Sequence, residues 1–185
     1  MLSSCQRWIR ALALPTMMIL SACGSSGQPF VMDVQSDLLV TAPDPDSVVV
    51  ETAIGSIEAD IADEFNDRFE LDVFNLDATA AFPGLGDVRL VLDPNFPAFA
   101  TVYKLNRNNQ PFGTNTMNLS LIVETPEQNL TFRELTLSSE SASLKLDQDL
   151  PPLTFFFQGQ AMEIDLSTLQ VQIPASLIVS NFDLQ

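Results

Sequence analysis

The chain has no histidine, two cysteines, and eight basic residues against 24 acidic ones in a length of 185. Without histidine there is no Ser-His or Cys-His nucleophile pair and no imidazole ligand for zinc. Neither GxxxxGK[ST] nor GxGxxG occurs, so a phosphate-cradling loop has no support. Six of the basic residues (Arg68, Arg89, Lys104, Arg107, Arg133 and Lys145) are scattered along the chain. Binding a phosphate backbone needs clustered positive charge, so no nucleic acid is expected as a partner. The same scatter supplies no polybasic patch for anionic lipid. Long apolar runs are scarce too. The stretch from Ala11 to Leu20 is too short to cross a bilayer as a helix, which takes roughly 20 residues.

That stretch has another use. Arg7 and Arg10 precede it, and Leu20-Ser21-Ala22-Cys23 follows, the layout of a cleaved export signal. An ordinary signal cut before Cys23 wants a small residue where Leu20 stands. Leu-Ser-Ala-Cys instead resembles the lipobox of bacterial lipoproteins. The resemblance covers only the leader and Cys23. It implies that residues 1–22 are removed and that the Cys23 thiol carries a diacylglycerol at the new N-terminus. Gly24 stands where an Asp would signal retention at the inner membrane of enteric-type cells, so the resemblance implies the outer membrane. Cys5 would leave with the leader, and no disulfide would remain. Loss of Arg7 and Arg10 leaves six basic residues against 24 acidic ones, a net charge of −18. Gly24 to Gln28 reads as a short tether, completing residues 23–28, and one domain is expected over 29–185. Five tether residues reach at most about 18 Å.

Alternation dominates that domain. Val88, Leu90 and Leu92 alternate with Asp87, Arg89 and Asp93. The same pattern recurs through Met117, Leu119, Leu121 and Val123, then Met162, Ile164 and Leu166, then Leu169, Val171 and Ile173. Period two marks half-buried strands. Further strands are expected at 37–42, 47–53, 69–76, 98–105, 129–137, 141–146, 153–158 and 176–183. Pro43, Pro45, Pro83-Gly84, Pro94, Pro97, Pro126, Pro151-Pro152 and Pro174 fall between the runs and mark turns or edges. The expected fold is mainly β, an antiparallel sandwich or a barrel-like meander. Ile54, Ile57, Ile61, Phe65 and Phe69 depart from this pattern, with spacings that fit one helix face. A short amphipathic helix is therefore expected near 56–67, its rival being a hairpin turning at Gly55-Ser56.

Candidate chemistry is sparse. Asp60, Asp63 and Asp67, with Glu64, form one acidic group that could hold calcium, and Asp44-Pro45-Asp46-Ser47 forms another. Neither follows the spaced loop that supplies six or more oxygens, so a solvated face and a turn are the plainer readings. Phe155-Phe156-Phe157 is the candidate ligand-binding stretch, lining a concave sheet. Its plainer reading is a central strand covered on both faces. Twenty-four acids make some close carboxylate pairs inevitable, so no catalytic residue is assigned and no cofactor is implied. The sequence points to a noncatalytic, lipid-anchored envelope protein that binds or scaffolds an envelope protein, lipid or polysaccharide. Two alternatives are a carrier of an apolar ligand and a carboxylate-based glycan hydrolase. If the anchor is real, Cys23→Ser should stall processing or release the protein from membranes on fractionation. A mature-length variant that stays with the membrane would refute it.

Overall fold

The computed structural model describes residues 29–42 and 47–178, and these contain eleven strands. They are β1 (Phe30–Thr41), β2 (Val48–Glu64), β3 (Arg68–Phe82), β4 (Gly86–Leu92), β5 (Ala98–Tyr103) and β6 (Asn115–Glu124). The remainder are β7 (Asn129–Ser139), β8 (Ser143–Leu146), β9 (Leu153–Phe157), β10 (Gln160–Asp165) and β11 (Gln170–Gln172). The leader, Cys23, the tether, the Asp44–Asp46 group and residues 179–185 lie outside the described residues.

The strands close into an eight-position antiparallel up-and-down barrel, since β11 returns to pair with β1. Three positions are each filled by two collinear pieces. Strands β4 and β5 both lie between β3 and β6. The far side of β1 is shared by β10 and β11, and the next position is shared by β8, beside β11, and β9, beside β10. Each break carries residues that interrupt a ladder. Pro94 and Pro97 split β4 from β5, and Pro151-Pro152 precede β9, each proline removing a backbone donor. Between β10 and β11 the Thr168 hydroxyl substitutes for a strand. It accepts from the Asp37 N–H at 2.8 Å and donates to the Asp37 carbonyl at 2.9 Å.

Alternation sets the core. Met32, Val34, Leu38 and Val40 of β1 point inward together with Leu76, Leu90, Leu121, Leu135, Ile164 and Val171, all fully or nearly fully buried. The expected burial of Leu119, Leu121, Ile164 and Val171 is met. The barrel, rather than the sandwich, follows from β1 having partners on both edges, which leaves no open sheet edge on that strand.

Three expectations are corrected. No helix occupies 56–67: β2 covers it to Glu64, pairing with β3 and, as far as Ala59, with β1, and 65–67 connect to β3. The inward row is filled mainly by small residues, Ala53, Gly55 and Ala59 around Ile57, while Ile54 stands exposed on the outer face, which is why the large apolar residues imitate a helix spacing. The rival turn at Gly55-Ser56 fails as well. Gly55 lies mid-strand where backbones nearly touch, since a Cβ there would sit 1.9 Å from the Asp77 carbonyl oxygen and 2.3 Å from Ala78 Cα. The strand expected at 176–183 begins instead as a turn, with Leu177 N–H donating to the Pro174 carbonyl at 3.0 Å. Leu177 is fully buried at the end of the barrel where β1 starts.

Two substitutions test this packing. Leu121→Ala should cost about 2–5 kcal/mol, the range for truncating a packed core side chain. Gly55→Ala should lower the melting temperature clearly, although alanine is elsewhere the better strand residue, because the collision is with backbone. An unchanged melting curve for Gly55→Ala would contradict the β2–β3 approach.

Candidate functional site

Call the end of the barrel holding Phe30 lower and the end holding Thr41 upper. In the upper half the wall is not fully hydrogen-bonded. Residues 129–135 of β7 pair only with β6, and β9 pairs only with β10. Among the described residues no ladder joins these two edges. The seam is bounded below by Asp147 N–H donating to the Thr136 carbonyl at 2.9 Å. Above, Gln158 N–H donates to Glu127 Oε1 at 3.0 Å, linking the β9–β10 turn to the β6–β7 turn.

Both edges are shaped by local sequence. Opposite the single residue Ser120, β7 carries two, Arg133 and Glu134, between Phe132 and Leu135. Glu134 adopts a left-handed φ of 55°, and its N–H donates to Ser120 Oγ at 3.1 Å. Such a bulge bends a strand and increases its twist. On the other side Pro151-Pro152 bring the chain to β9 without donors. Side chains, not backbone bonds, fill the seam: Phe132 is 5% exposed and Phe155 0%.

The three phenylalanines therefore separate. Phe155 points into the barrel, Phe156 is 55% exposed on the outside, and Phe157 is half-buried. The expectation of a central strand covered on both faces is corrected: β9 is one strand of a hairpin, with a single partner. The concave, phenylalanine-lined reading retains Phe155.

Ser36 stands apart from the other buried polar residues, Lys104, Asn115 and Ser120 among them, which have hydrogen-bond partners. It occupies the inward row of β1 between Val34 and Leu38, lies beside Ala53 in register, and is 0% exposed. Its Oγ has no hydrogen-bond partner among the described residues. Burying a hydroxyl without a partner costs on the order of 1–3 kcal/mol. The signal was present in the sequence as a lone serine in the alternating row Met32, Val34, Ser36, Leu38, Val40, but its isolation could be seen only once the barrel was closed.

The acidic candidates lie elsewhere. Asp60 faces Asp72 and Asp63 faces Glu70 across the β2–β3 ladder, while Asp67 sits in the turn that follows. Asp60 and Asp63 are exposed, Asp67 is half-buried beside Arg68, and no group of three or more potential metal ligands occurs among the described residues. Glu64 instead accepts from Lys104 Nζ at 2.8 Å, and the Phe65 carbonyl accepts from the same ammonium at 2.8 Å. Lys104 is 2% exposed and lies 4.5 Å from the Phe69 ring centroid, so this cation pins the β2–β3 tip to the barrel. Outside the wall, a groove of ≈ 410 Å³ between β4 and the 93–97 loop is lined by Phe74, Phe96 and Pro97, with Arg89 and Asp77 at its rim.

Charge–charge contacts on the outer face are specific. Arg68 Nε donates to Glu70 Oε1 at 2.8 Å, and Thr101 Oγ1 donates to Glu70 Oε2 at 2.9 Å. The Arg68 hydrogen bond, helped by that of Thr101, holds the Glu70 carboxyl below its ordinary value of 4.5. A lowered folded-state value means the contribution is complete above the ordinary one and disappears as pH falls through the lowered one. Glu70→Gln should therefore flatten the acid limb of the melting temperature below pH 4.5. Equal slopes for variant and parent would contradict the assignment.

No family model matches the chain, and no curated protein matches it. Among solved structures it is similar to DynF from the dynemicin biosynthesis pathway of Micromonospora chersina, at 12% identity and a TM-score of 0.54. The likeness covers 78% of this chain and 80% of that one, and it is a likeness of fold.

Proposed function

We propose that this protein is a noncatalytic binding module of the cell envelope, held at the outer membrane by lipid on Cys23. The observation that carries the noncatalytic part is where the polar chemistry sits. The interior is mostly leucine, valine, phenylalanine and alanine, while Asp60 and Asp63 are exposed and Asp67 is half-buried in its turn. An acid-base site needs carboxyls in a desolvated pocket that shifts them apart; Glu70 is engaged by Arg68 and Thr101, and the buried Asp93 accepts from the Asn95 backbone and side-chain amides. The anchor part rests on the lipobox-like motif. Six residues separate Cys23 from Phe30, seven steps of chain that reach at most about 25 Å, so the lower end would face the membrane.

Within this reading, one observation favours the apolar carrier over the scaffold. An eight-position barrel has an interior just wide enough to be filled by side chains or to hold one small ligand. The isolated Ser36 hydroxyl supplies an unpaired polar point of the kind such ligand sites use to orient an otherwise apolar molecule. The glycan-hydrolase alternative has no comparable support, because the facing acids of β2 and β3 lie on an open outer wall.

The test is complementation of an envelope-permeability defect in cells lacking the protein. Asp60→Asn, Asp63→Asn and Asp67→Asn should each complement fully, since binding surfaces spread their energy over several contacts. Removing a general acid or base costs typically 10²–10⁴-fold in rate. One such variant that fails while remaining folded and membrane-bound would overturn the noncatalytic reading.

A further inference from the structure

Resting on the carrier reading, we propose that the barrel interior beside Ser36 binds an uncharged, single-tailed amphiphile, which enters through the seam between β7 and β9. The ligand's head is defined by what surrounds it. Ser36 Oγ can donate one hydrogen bond and accept others, and no described residue uses either capacity. Lys104, the basic side chain buried in the barrel, is committed to Glu64 and the Phe65 carbonyl. The protein carries a large negative charge, and Glu51 stands next to Leu38 in the inward row of the upper end. A carboxylate or phosphate head would meet repulsion and no cation; an alcohol or glycerol ester meets neither penalty.

The tail would lie along the alanines. Ala53, Ala78, Ala80, Ala98 and Ala100 stand in the inward rows of β2, β3 and β5 among larger residues such as Ile57, Leu71 and Leu76, whereas the rows of β6 and β7 carry Met117, Leu119, Leu121, Phe132, Leu135 and Leu137 and no alanine. Ser36 pairs with Ala53, one of these alanines.

The seam gives access from the side. Strand β9 is two strand spacings from β1, roughly 10 Å, and Phe155, Leu153 and Ile164 line the way between. Opening requires only that the β9–β10 hairpin swing away from β7. The hydrogen bond that bridges the top of the seam is Gln158–Glu127, and below it no ladder joins β7 to β9 among the described residues. The hairpin stays attached through three residue pairs to β1, Leu39–Asp165 to Thr41–Glu163.

The experiment uses the full chain in neutral detergent, with native mass spectrometry after gas-phase removal of detergent. Monododecanoylglycerol is the probe and dodecanoate the charged comparison. One monododecanoylglycerol adduct should form, with dodecanoate binding at least fivefold more weakly. Ser36→Ala should lose about fivefold in adduct formation, the value of one ordinary hydrogen bond, yet melt higher than the parent without ligand, since an unpartnered hydroxyl is gone. Crosslinking a Glu127→Cys/Gln158→Cys variant with a short bismaleimide should slow loading at least tenfold relative to the same variant capped with N-ethylmaleimide. Absence of any adduct overturns both this site and the carrier reading. Preference for dodecanoate overturns the uncharged head, and an adduct indifferent to Ser36→Ala overturns the hydroxyl as its contact. Equal loading with and without the crosslink overturns the seam as the route and leaves the carrier reading standing.

Discussion

Closure of the sheet on itself is the constraint from which the rest of this structure follows. It is made by a few contacts. Only Asp33, Val34 and Gln35 pair with β11, only Leu39, Val40 and Thr41 pair with β10, and the Thr168 hydroxyl bridges the gap at Asp37. Because that ring closes, alternate residues of every strand share one dry interior, and burial becomes a property of parity. Val171 beside Val34 and Leu144 beside Val171 carry the apolar layer across the closing strands. A sheet of the same strands left open would expose both edges and half of this interior.

The polar exceptions make sense against that background. Lys104 is buried, yet both of its acceptors come from the β2–β3 tip, so a lysine stabilises the long hairpin at a place where an apolar residue would leave the Phe65 carbonyl without a donor. Asn115 is equally enclosed and equally occupied: its carbonyl oxygen accepts from Tyr103 N–H at 2.7 Å and its amide donates to the Ser141 carbonyl at 2.9 Å. Ser36 differs from both in kind. The fold uses Lys104 and Asn115 to join elements, whereas Ser36 joins nothing among the described residues.

Much of the fold was legible, and for a physical reason. Where strands are regular, parity is preserved and the alternation in Val88–Leu92, Met117–Val123 and Met162–Leu166 reads directly as burial. Pro126 was as plain a turn marker, and Thr125 closes that turn, its N–H donating to the Gln128 carbonyl at 3.0 Å. Small inward residues defeat the same logic. In β2 the inward row is Ala53, Gly55, Ile57 and Ala59 while Ile54 faces outward, so the large apolar residues alone show a helix-like spacing in a strand. The seam was illegible for another cause: Pro151-Pro152 announce an edge, but which edge they face depends on β8 and β9 filling one position. Ser36 shows the limit most clearly, since the absence of a partner is a property of the whole interior and not of its neighbours in sequence.

The pairing of the first strand with the last has a consequence in time. Residues 33–35 wait for 170–172, so more than 130 intervening residues must emerge before the ring can shut. Until then β1 and β2 form a hairpin with one bare, alternating edge, the kind of template on which chains pair with each other. Contacts of such long sequence separation form slowly. A nascent chain of this architecture therefore spends its vulnerable interval with its earliest strand unguarded. A helper that covers an extended apolar edge would be needed most before the closing residues appear, and not at all afterwards.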